Sequence, residues 1–236
     1  MPLFKVGSDI HFFCHIPKCA GASVEKYLSN RFGDLAFVNS KFFRVKQSRR
    51  WTKTSPQHVD AEALKLLFPK GWIKSSFGVV RHPVSRIRSA YDYHLASENL
   101  TPDDKEINDW IASWVESRKD NPFQFDNHLR TSSELILPKT SVFRLEDGLD
   151  SVVSYLDRLE GKKGKIRAIS HENKSRGGVN YLRDQTPLTP KSLQIISNIF
   201  AEDFRRFGYT CKDVFKTCAS KDSTKQKTIK LRWLKR

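Results

Sequence analysis

Short apolar runs alternate with longer amphipathic segments along most of the chain. The runs 10–15, 76–80 and 140–145 are apolar, contain β-branched or aromatic residues and have the length of strands. Helical periodicity or helix-start signals mark the segments 22–31, 60–68, 83–96, 105–117, 148–159 and 191–207. Strands that alternate with helices predict an α/β fold, in which helices cover both faces of a central, mainly parallel sheet.

Two stretches depart from this alternation. Residues 161–187 combine many charges with glycines at 161, 164, 177 and 178, which predicts a long irregular loop of a kind that is usually functional or mobile. The end of the chain is polar and basic. The sequence therefore predicts one domain over residues 1–212 and a basic C-terminal tail over residues 213–236.

The charge balance narrows the range of partners. Lys and Arg number 42 against 26 Asp and Glu, a formal net charge of +16, which favours nucleic acid, anionic lipid, anionic glycans or nucleotide cofactors. No run reaches the roughly 18 apolar residues that span a membrane, and no signal peptide is visible. We expect no membrane span and a cytoplasmic location, with a trimmed Golgi-lumenal domain as the alternative.

The four cysteines are too few for a disulfide framework, so free thiols are expected. A bond between Cys211 and Cys218 is left open.

The loop after the first predicted strand has the composition of an anion-binding turn. It reads His15-Ile16-Pro17-Lys18-Cys19-Ala20-Gly21-Ala22-Ser23 and leads into a predicted helix. Amides at a helix N-terminus attract anions, small residues allow close approach, and Lys18 and Ser23 add a charge and a hydroxyl. The lysine precedes the glycine, so this is not a Walker A loop. An ordinary turn with a surface lysine is the alternative.

A second basic motif follows the next predicted strand. It reads Arg81-His82-Pro83-Val84-Ser85-Arg86-Ile87-Arg88-Ser89-Ala90-Tyr91. Arg81 stands at the carboxyl end of a strand, where open α/β sheets bind their ligands. Arg86 and Ser89 are one helical turn apart, and arginine with a hydroxyl suits a terminal phosphate. The alternative is a basic, solvated start of a helix.

Together the two motifs resemble those of the sulfotransferases, in particular the branch that modifies carbohydrates, similar to heparan and chondroitin sulfotransferases. HIPKCAGAS resembles the phosphosulfate loop Ile-Pro-Lys-x-Ala-Gly-Thr/Ser-Ser, and VVRHPVSRIRSAYDYH resembles the 3′-phosphate motif Arg-x-Pro-x-x-Arg-x-x-Ser-x-Tyr. FDNHLR, VFRLEDGLDSVVSYL and AEDFRRFGY extend the resemblance over about residues 8 to 210. It implies a sulfotransferase fold like that of P-loop NTPases, with 3′-phosphoadenosine 5′-phosphosulfate (PAPS) as donor and adenosine 3′,5′-bisphosphate (PAP) as product.

The resemblance also implies the donor-binding residues. The 5′-phosphosulfate would be held by Pro17, Lys18, Cys19, Ala20, Gly21, Ala22 and Ser23, with Lys18 neutralising charge on the leaving phosphate. Arg81 and Ser89 would hold the 3′-phosphate, and Ser175 and Arg176 would close the nucleotide site unless they belong to a mobile basic loop. Ala22 departs from the family's frequent Thr, and Thr131-Ser132-Ser133 departs from the common Pro-Gln.

Transfer to a hydroxyl needs a general base. The corresponding region of glycan 2-O-sulfotransferases supplies a catalytic histidine, which implies His58; His128 is the second candidate and lies among the acceptor-binding residues. Glu25 is weaker, because the donor's charge disfavours a carboxylate there. Arg44 and Arg49, in the basic aromatic segment 41–53, would bind an anionic glycan or form a solvated face. No metal is expected.

Two other functions explain part of the pattern. A nucleic-acid-binding protein would explain the positive net charge, but the sequence shows no motif of a known nucleic-acid-binding module. A nucleotide kinase would need the missing Walker A pair. The sequence predicts a sulfotransferase of the EC 2.8.2 type that acts on a hydroxyl and has no nucleic-acid partner. A carbohydrate is the favoured acceptor, and small alcohols, lipids and tyrosyl peptides are left open.

Overall fold

A four-stranded sheet forms the centre of the computed structural model, which describes residues 2–170 and 186–210. The strands are β1 (Leu3–Val6), β2 (Asp9–Cys14), β3 (Ile73–Val80) and β4 (Ser141–Arg144), and they lie side by side in that order. β2, β3 and β4 are parallel, with Cys14 opposite Gly78 and Val80 opposite Arg144. The predicted mainly parallel sheet is confirmed, and the carboxyl ends of its three parallel strands meet at one edge.

The sequence pattern does not predict β1. This strand pairs antiparallel with β2, with Val6 opposite Asp9, so that Gly7 and Ser8 form a two-residue hairpin turn. Gly7 has a φ of 60°, a conformation that glycine adopts at little cost and that tight hairpins require. The Gly-Ser pair between two short apolar runs is the signal that would have revealed the hairpin.

Helices flank the sheet. Within the described residues they are α1 (Gly21–Phe32), α2 (Ala61–Leu67), α3 (Pro83–Glu98), α4 (Ile107–Ser117), α5 (Ser132–Leu135), α6 (Asp150–Glu160), α7 (Pro190–Ile199) and α8 (Ala201–Phe207). The Asp60 and Glu106 carboxylates cap α2 and α4 by accepting backbone N–H bonds, and prolines open α3 and α7. These bounds lie close to most of the predicted ones.

The predicted single helix over 191–207 is wrong, because the chain breaks at Phe200 into α7 and α8. Phe200 has φ −99° and ψ 19° and is fully buried. The break has a packing cause. Ile196 and Phe200 enter a helical core with α3 and α4, whereas Phe207 and Tyr209 join the core around the sheet.

The two cores divide the molecule into a sheet layer and a helical layer. Phe12, Phe13 and Phe77 of the sheet pack with the buried faces of α1 and α6. The second core joins α3, α4 and α7 around Tyr91 and Trp110. Since α3 begins directly after β3, it carries the second basic motif from the sheet edge into the helical layer.

Cys14 and Cys19 are free and buried, and burial raises the pKa of each thiol to about 11, so both are neutral at pH 7. Free thiols at these two positions are as expected. No helix in residues 2–170 and 186–210 is long and apolar enough to cross a bilayer.

Some predictions lie outside the described residues: those on Ser175, Arg176, the pairing of Cys211 with Cys218, and the tail 213–236. The domain boundary at 212 and the cytoplasmic location stay predictions.

Candidate active site

The loop between β2 and α1 is strained and ends at an open helix N-terminus. Lys18 and Ala20 have left-handed backbones, with φ 66° and 62°, a conformation that costs a non-glycine residue about 1–2 kcal/mol. Ala20 occupies the N-cap position of α1 without a side-chain cap, and the first turn contains no acidic residue. Backbone strain is typical of functional sites, and uncapped helix amides favour an anion. The loop therefore suits the predicted phosphosulfate end of a donor.

Lys18 and Arg81 lie together, as the two motifs predict. Arg81 follows β3, and its Nη1 donates to the Lys18 carbonyl at 3.4 Å. Burial lowers the pKa of Lys18 to about 8, with a further lowering from the Arg81 charge and an opposing effect of Asp92. The ammonium lies 4.1 Å from the centre of the Tyr93 ring on α3. Two cations this close, one of them desolvated, favour a bound anion.

Arg86 has a different role from the one that the sequence predicts. The side chain is buried, with 1% exposure, and donates to the carbonyls of Pro17 at 3.0 Å, Arg130 at 2.7 Å and His128 at 3.1 Å. The guanidinium is thus committed to the backbone rather than to a phosphate shared with Ser89. Arg86 thereby ties the predicted phosphosulfate loop (residues 15–23, hereafter the donor loop) to the segment 128–130. Ser89 lies half-buried further along α3.

His58 is held by a carboxylate 68 residues away in the sequence. It ends a 3-10 turn (Pro56–His58), and its Nδ1 lies 2.7 Å from Asp126 Oδ2. Ser55 donates to the same carboxylate through its N–H at 2.6 Å and its hydroxyl at 2.8 Å. Burial lowers the pKa of His58, although the hydrogen bond to Asp126 opposes it. A neutral imidazole oriented by a carboxylate is the arrangement of a general base.

Asp126 reaches His58 from an unusual stretch of backbone. Phe125, Asp126 and Asn127 are all left-handed, with φ of 54°, 55° and 61°. Such residues cost about 1–2 kcal/mol each, so the surroundings must hold the turn in place. The fully buried Asn127 does so by donating from its side-chain Nδ2 to the His58 carbonyl at 2.8 Å. The strain is located at the residue that orients His58.

Four histidine rings connect this site to the donor loop. The His15 ring lies 4.7 Å from that of His58 at an interplanar angle of 86°, and the His128 ring lies 5.2 Å from both His58 and His94. Burial holds the pKa of His128 well below its usual value and lowers that of His94 to about 4. Since His15 opens the donor loop, His58 lies against that loop.

His15 is fixed from two sides. Its Nδ1 lies 2.5 Å from Glu25 Oε1, and its ring covers Gly21, where an added Cβ would come within 1.9 Å of His15 Nε2. Burial acts to raise the pKa of Glu25, but hydrogen bonding and charge from His15 outweigh it and lower the pKa. Gly21 therefore makes room for an imidazole beside the donor loop.

The model of the sulfotransferase family matches residues 7–210 of the chain. The chain belongs to the sulfotransferase family. The match covers both basic motifs, the four histidines and the three parallel strands β2, β3 and β4. The predicted fold and the predicted enzyme class are thereby confirmed: the protein is a sulfotransferase of the EC 2.8.2 type, which transfers a sulfuryl group. No curated protein and no solved structure matches the chain.

A cleft of about 600 Å³ is lined by two segments of the sulfotransferase. It is lined by Gln47, Arg50, Trp51, Thr52, Lys53, Asp120, Asn121, Pro122 and Phe123. The first segment continues in the chain to Ser55 and His58, and the second to Asp126 and His128. Each wall of the cleft therefore precedes one of the clustered histidines in the chain, and one wall belongs to the predicted basic aromatic segment.

Arg44 and Arg49 are not among the residues of the basic aromatic segment 41–53 that line the cleft. These two arginines are exposed and do not line it. Arg50 does line it, but its guanidinium donates to the carbonyls of Val45 and Phe43, each at 3.0 Å. Trp51, with 58% exposure, and Lys53 are the aromatic and basic groups offered to a ligand. The roles of Arg44 and Arg49 stay predictions.

The segment Thr131-Ser132-Ser133 has a structural role in the sulfotransferase. Thr131 caps α5 in a reciprocal capping box with Glu134, and the Asp203 carboxylate accepts the N–H groups of Ser132 at 2.7 Å and Ser133 at 2.8 Å. Asp203 belongs to the motif AEDFRRFGY, so this part of the family pattern anchors α8 against α5.

Proposed function

We propose that the sulfotransferase transfers the sulfuryl group of PAPS to a carbohydrate hydroxyl, with His58 as general base and PAP as the second product. The observation that carries the proposal is the contact of His58, oriented by Asp126, with His15 of the donor loop at a ring distance of 4.7 Å. A general base next to the loop that holds the donor lies where the acceptor hydroxyl and the donor would meet.

The donor site follows from the charges at the sheet edge. Lys18 and the uncapped N-terminus of α1 suit the sulfated end of PAPS, whereas Arg81 and Ser89 provide a cation and a hydroxyl for the 3′-phosphate. An anion beside Lys18 would offset the desolvation that lowers the pKa of this lysine. Roles for Ser175 and Arg176 in closing the site are part of the same proposal.

In the transfer step, the acceptor oxygen attacks the sulfur, and the bond from sulfur to the donor's phosphate oxygen breaks. The hydroxyl proton passes to the neutral imidazole of His58, at Nε2, because Nδ1 is engaged with Asp126. Asp126 stabilises the resulting imidazolium, and Lys18 neutralises the charge that develops on the leaving phosphate. A base of this kind contributes about 10²–10⁴-fold to the rate.

The cleft supports a carbohydrate acceptor. Trp51 offers a flat apolar face, Gln47 and Asn121 offer amides, and Lys53 offers a charge. Aromatic faces with convergent polar groups suit sugar rings, and the net charge of +16 favours a glycan that carries anionic groups. Small alcohols would use less of a cleft of about 600 Å³.

The deciding experiment follows transfer of labelled sulfate from PAPS to anionic glycans, neutral glycans, small alcohols and tyrosyl peptides. His58→Ala should lower kcat about 100- to 10,000-fold and leave PAP binding, measured by calorimetry, unchanged. Arg81→Ala should abolish PAP binding. Arg205→Ala, in the exposed pair with Glu202, is the matched control. Full activity in His58→Ala would contradict the base, and absence of PAP binding to the wild type would contradict the donor.

A further inference from the structure

A second feature of the histidine cluster is a set of ligand atoms with the chemistry of a transition-metal site. His58, Asp126 and His128 each present a nitrogen or oxygen, and these atoms lie within 4.8 Å of one another. In a tetrahedral zinc site with bonds of about 2.1 Å, neighbouring ligand atoms are about 3.4 Å apart. His58 Nδ1 and Asp126 Oδ2 are now joined by a hydrogen bond of 2.7 Å. A metal held by these two atoms replaces that hydrogen bond, and the imidazole then carries its proton on Nε2.

His128 supplies an independent observation that points to a ligand. Only 7% of the residue is exposed, and in the described part of the chain its Nδ1 is buried without a hydrogen-bond partner. Leaving a buried polar atom unsatisfied costs about 1–3 kcal/mol. The backbone cannot easily relieve this, because the His128 carbonyl is held by Arg86 at 3.1 Å. The ring is thus kept beside His58 with an unused nitrogen.

Polar neighbours hold two of the three side chains in position. Ser55 and Asn127 orient the carboxylate and the His58 backbone, as outer partners do in metal sites.

We propose that His58, Asp126 and His128 bind one divalent transition-metal ion of the Zn²⁺ type. Two imidazoles and one carboxylate suit Zn²⁺, Ni²⁺ or Cu²⁺ and do not suit Mg²⁺ or Ca²⁺, which prefer oxygen ligands. The consequence for regulation rests on the proposed function. When a metal is bound to the His58 ring and to Asp126, His58 can no longer act as the base. The bound ion therefore inhibits sulfuryl transfer, and its removal restores it.

Binding is tested on the full chain, without donor or acceptor, by calorimetry with Zn²⁺ and by the visible spectrum with Co²⁺. Cys211→Ser and Cys218→Ser form the background, so that thiols do not compete for the ion. One equivalent should bind, with no sulfur-to-metal charge-transfer band. His128→Asn and Asp126→Asn should each weaken binding about tenfold or more. His11→Gln, whose ring lies against Phe4 and Ser75, is the matched control and should bind as the background does.

A stability measurement guards against variants that do not fold. Zn²⁺ should raise the melting temperature of the background protein in a concentration-dependent way, and Mg²⁺ should not. No equivalent bound, no such shift, or equal affinity in a folded His128→Asn overturns the site. Activity is a separate measurement: if PAPS is not the donor, the binding result still stands. Full sulfate transfer with the ion bound would overturn the inhibitory role.

Discussion

Arg86→Met is expected to destabilise the protein by at least about 3 kcal/mol. The guanidinium makes three hydrogen bonds of 2.7 to 3.1 Å to carbonyls of Pro17, Arg130 and His128, and a longer one of 3.5 Å to the Ser132 hydroxyl. Methionine fills much of the volume but donates nothing. Each buried carbonyl that loses its partner costs about 1–3 kcal/mol, and water entering the gap recovers part of the sum.

The same substitution should weaken donor binding, although Arg86 does not contact the donor in the proposed site. Pro17 belongs to the proposed donor loop and His128 to the segment beside the proposed base, and Arg86 joins their carbonyls. Without this link the loop is less preorganised, so PAP should bind about tenfold more weakly, which corresponds to about 1.4 kcal/mol. Arg86→Lys keeps the charge but not the planar fork, so an intermediate effect is expected.

Urea unfolding followed by tryptophan fluorescence measures the free energy of unfolding, and calorimetry with PAP measures the donor site. Arg205→Met is the matched control, since Arg205 is exposed and pairs with Glu202 at 2.6 Å on one helix, where the loss should stay below about 1 kcal/mol. If Arg86→Met is as stable as wild type yet loses PAP binding, Arg86 contacts the phosphate directly and the structural reasoning is refuted.

Three further predictions concern activity. The kcat/KM should rise as the pH passes the lowered pKa of His58, which lies below 6.5, because the neutral imidazole is the base. It should fall above about pH 8, where Lys18 of the free enzyme loses its proton. Lys18→Arg should remove this alkaline fall in the pH–rate profile. Gly21→Ala should lower kcat at least about tenfold, because its Cβ displaces the His15 ring; unchanged steady-state kinetics would contradict this. Trp51→Ala should raise KM for the glycan with little change in kcat, and an unaltered KM would argue against the cleft.

Much of the fold could be predicted because its signals are local. The runs that become β2 and β3 are apolar and bounded by turn residues, and the donor loop contains its lysine, glycine and serine within a few positions of one helix start. Anion binding at such a loop depends on backbone geometry that a short sequence specifies. The prediction of a donor site could therefore be made from residues 15–23 and Arg81 alone.

His58 was predicted as the base, but its partner Asp126 could not be, since their contact depends on the packing of distant parts of the chain. His58 and Asp126 are 68 residues apart, and their contact requires three consecutive left-handed residues that no pattern of Phe125, Asp126 and Asn127 predicts. Arg86 shows the same limit. An arginine on a helix after a phosphate motif suggests a ligand, and only its burial against backbone carbonyls shows a positioning role.

Glu25 shows how the structure resolves an objection from electrostatics. A carboxylate beside an anion-binding loop is disfavoured, which made it a weak candidate for the base. In the fold it is paired with His15 at 2.5 Å, and its lowered pKa keeps it ionised and committed to that imidazole. The Glu25 carboxylate is thus taken up by its hydrogen bond to His15, next to Gly21. This supports the proposal of His58 as the general base, because the His58 ring adjoins that of His15 and is oriented by a carboxylate of its own, Asp126.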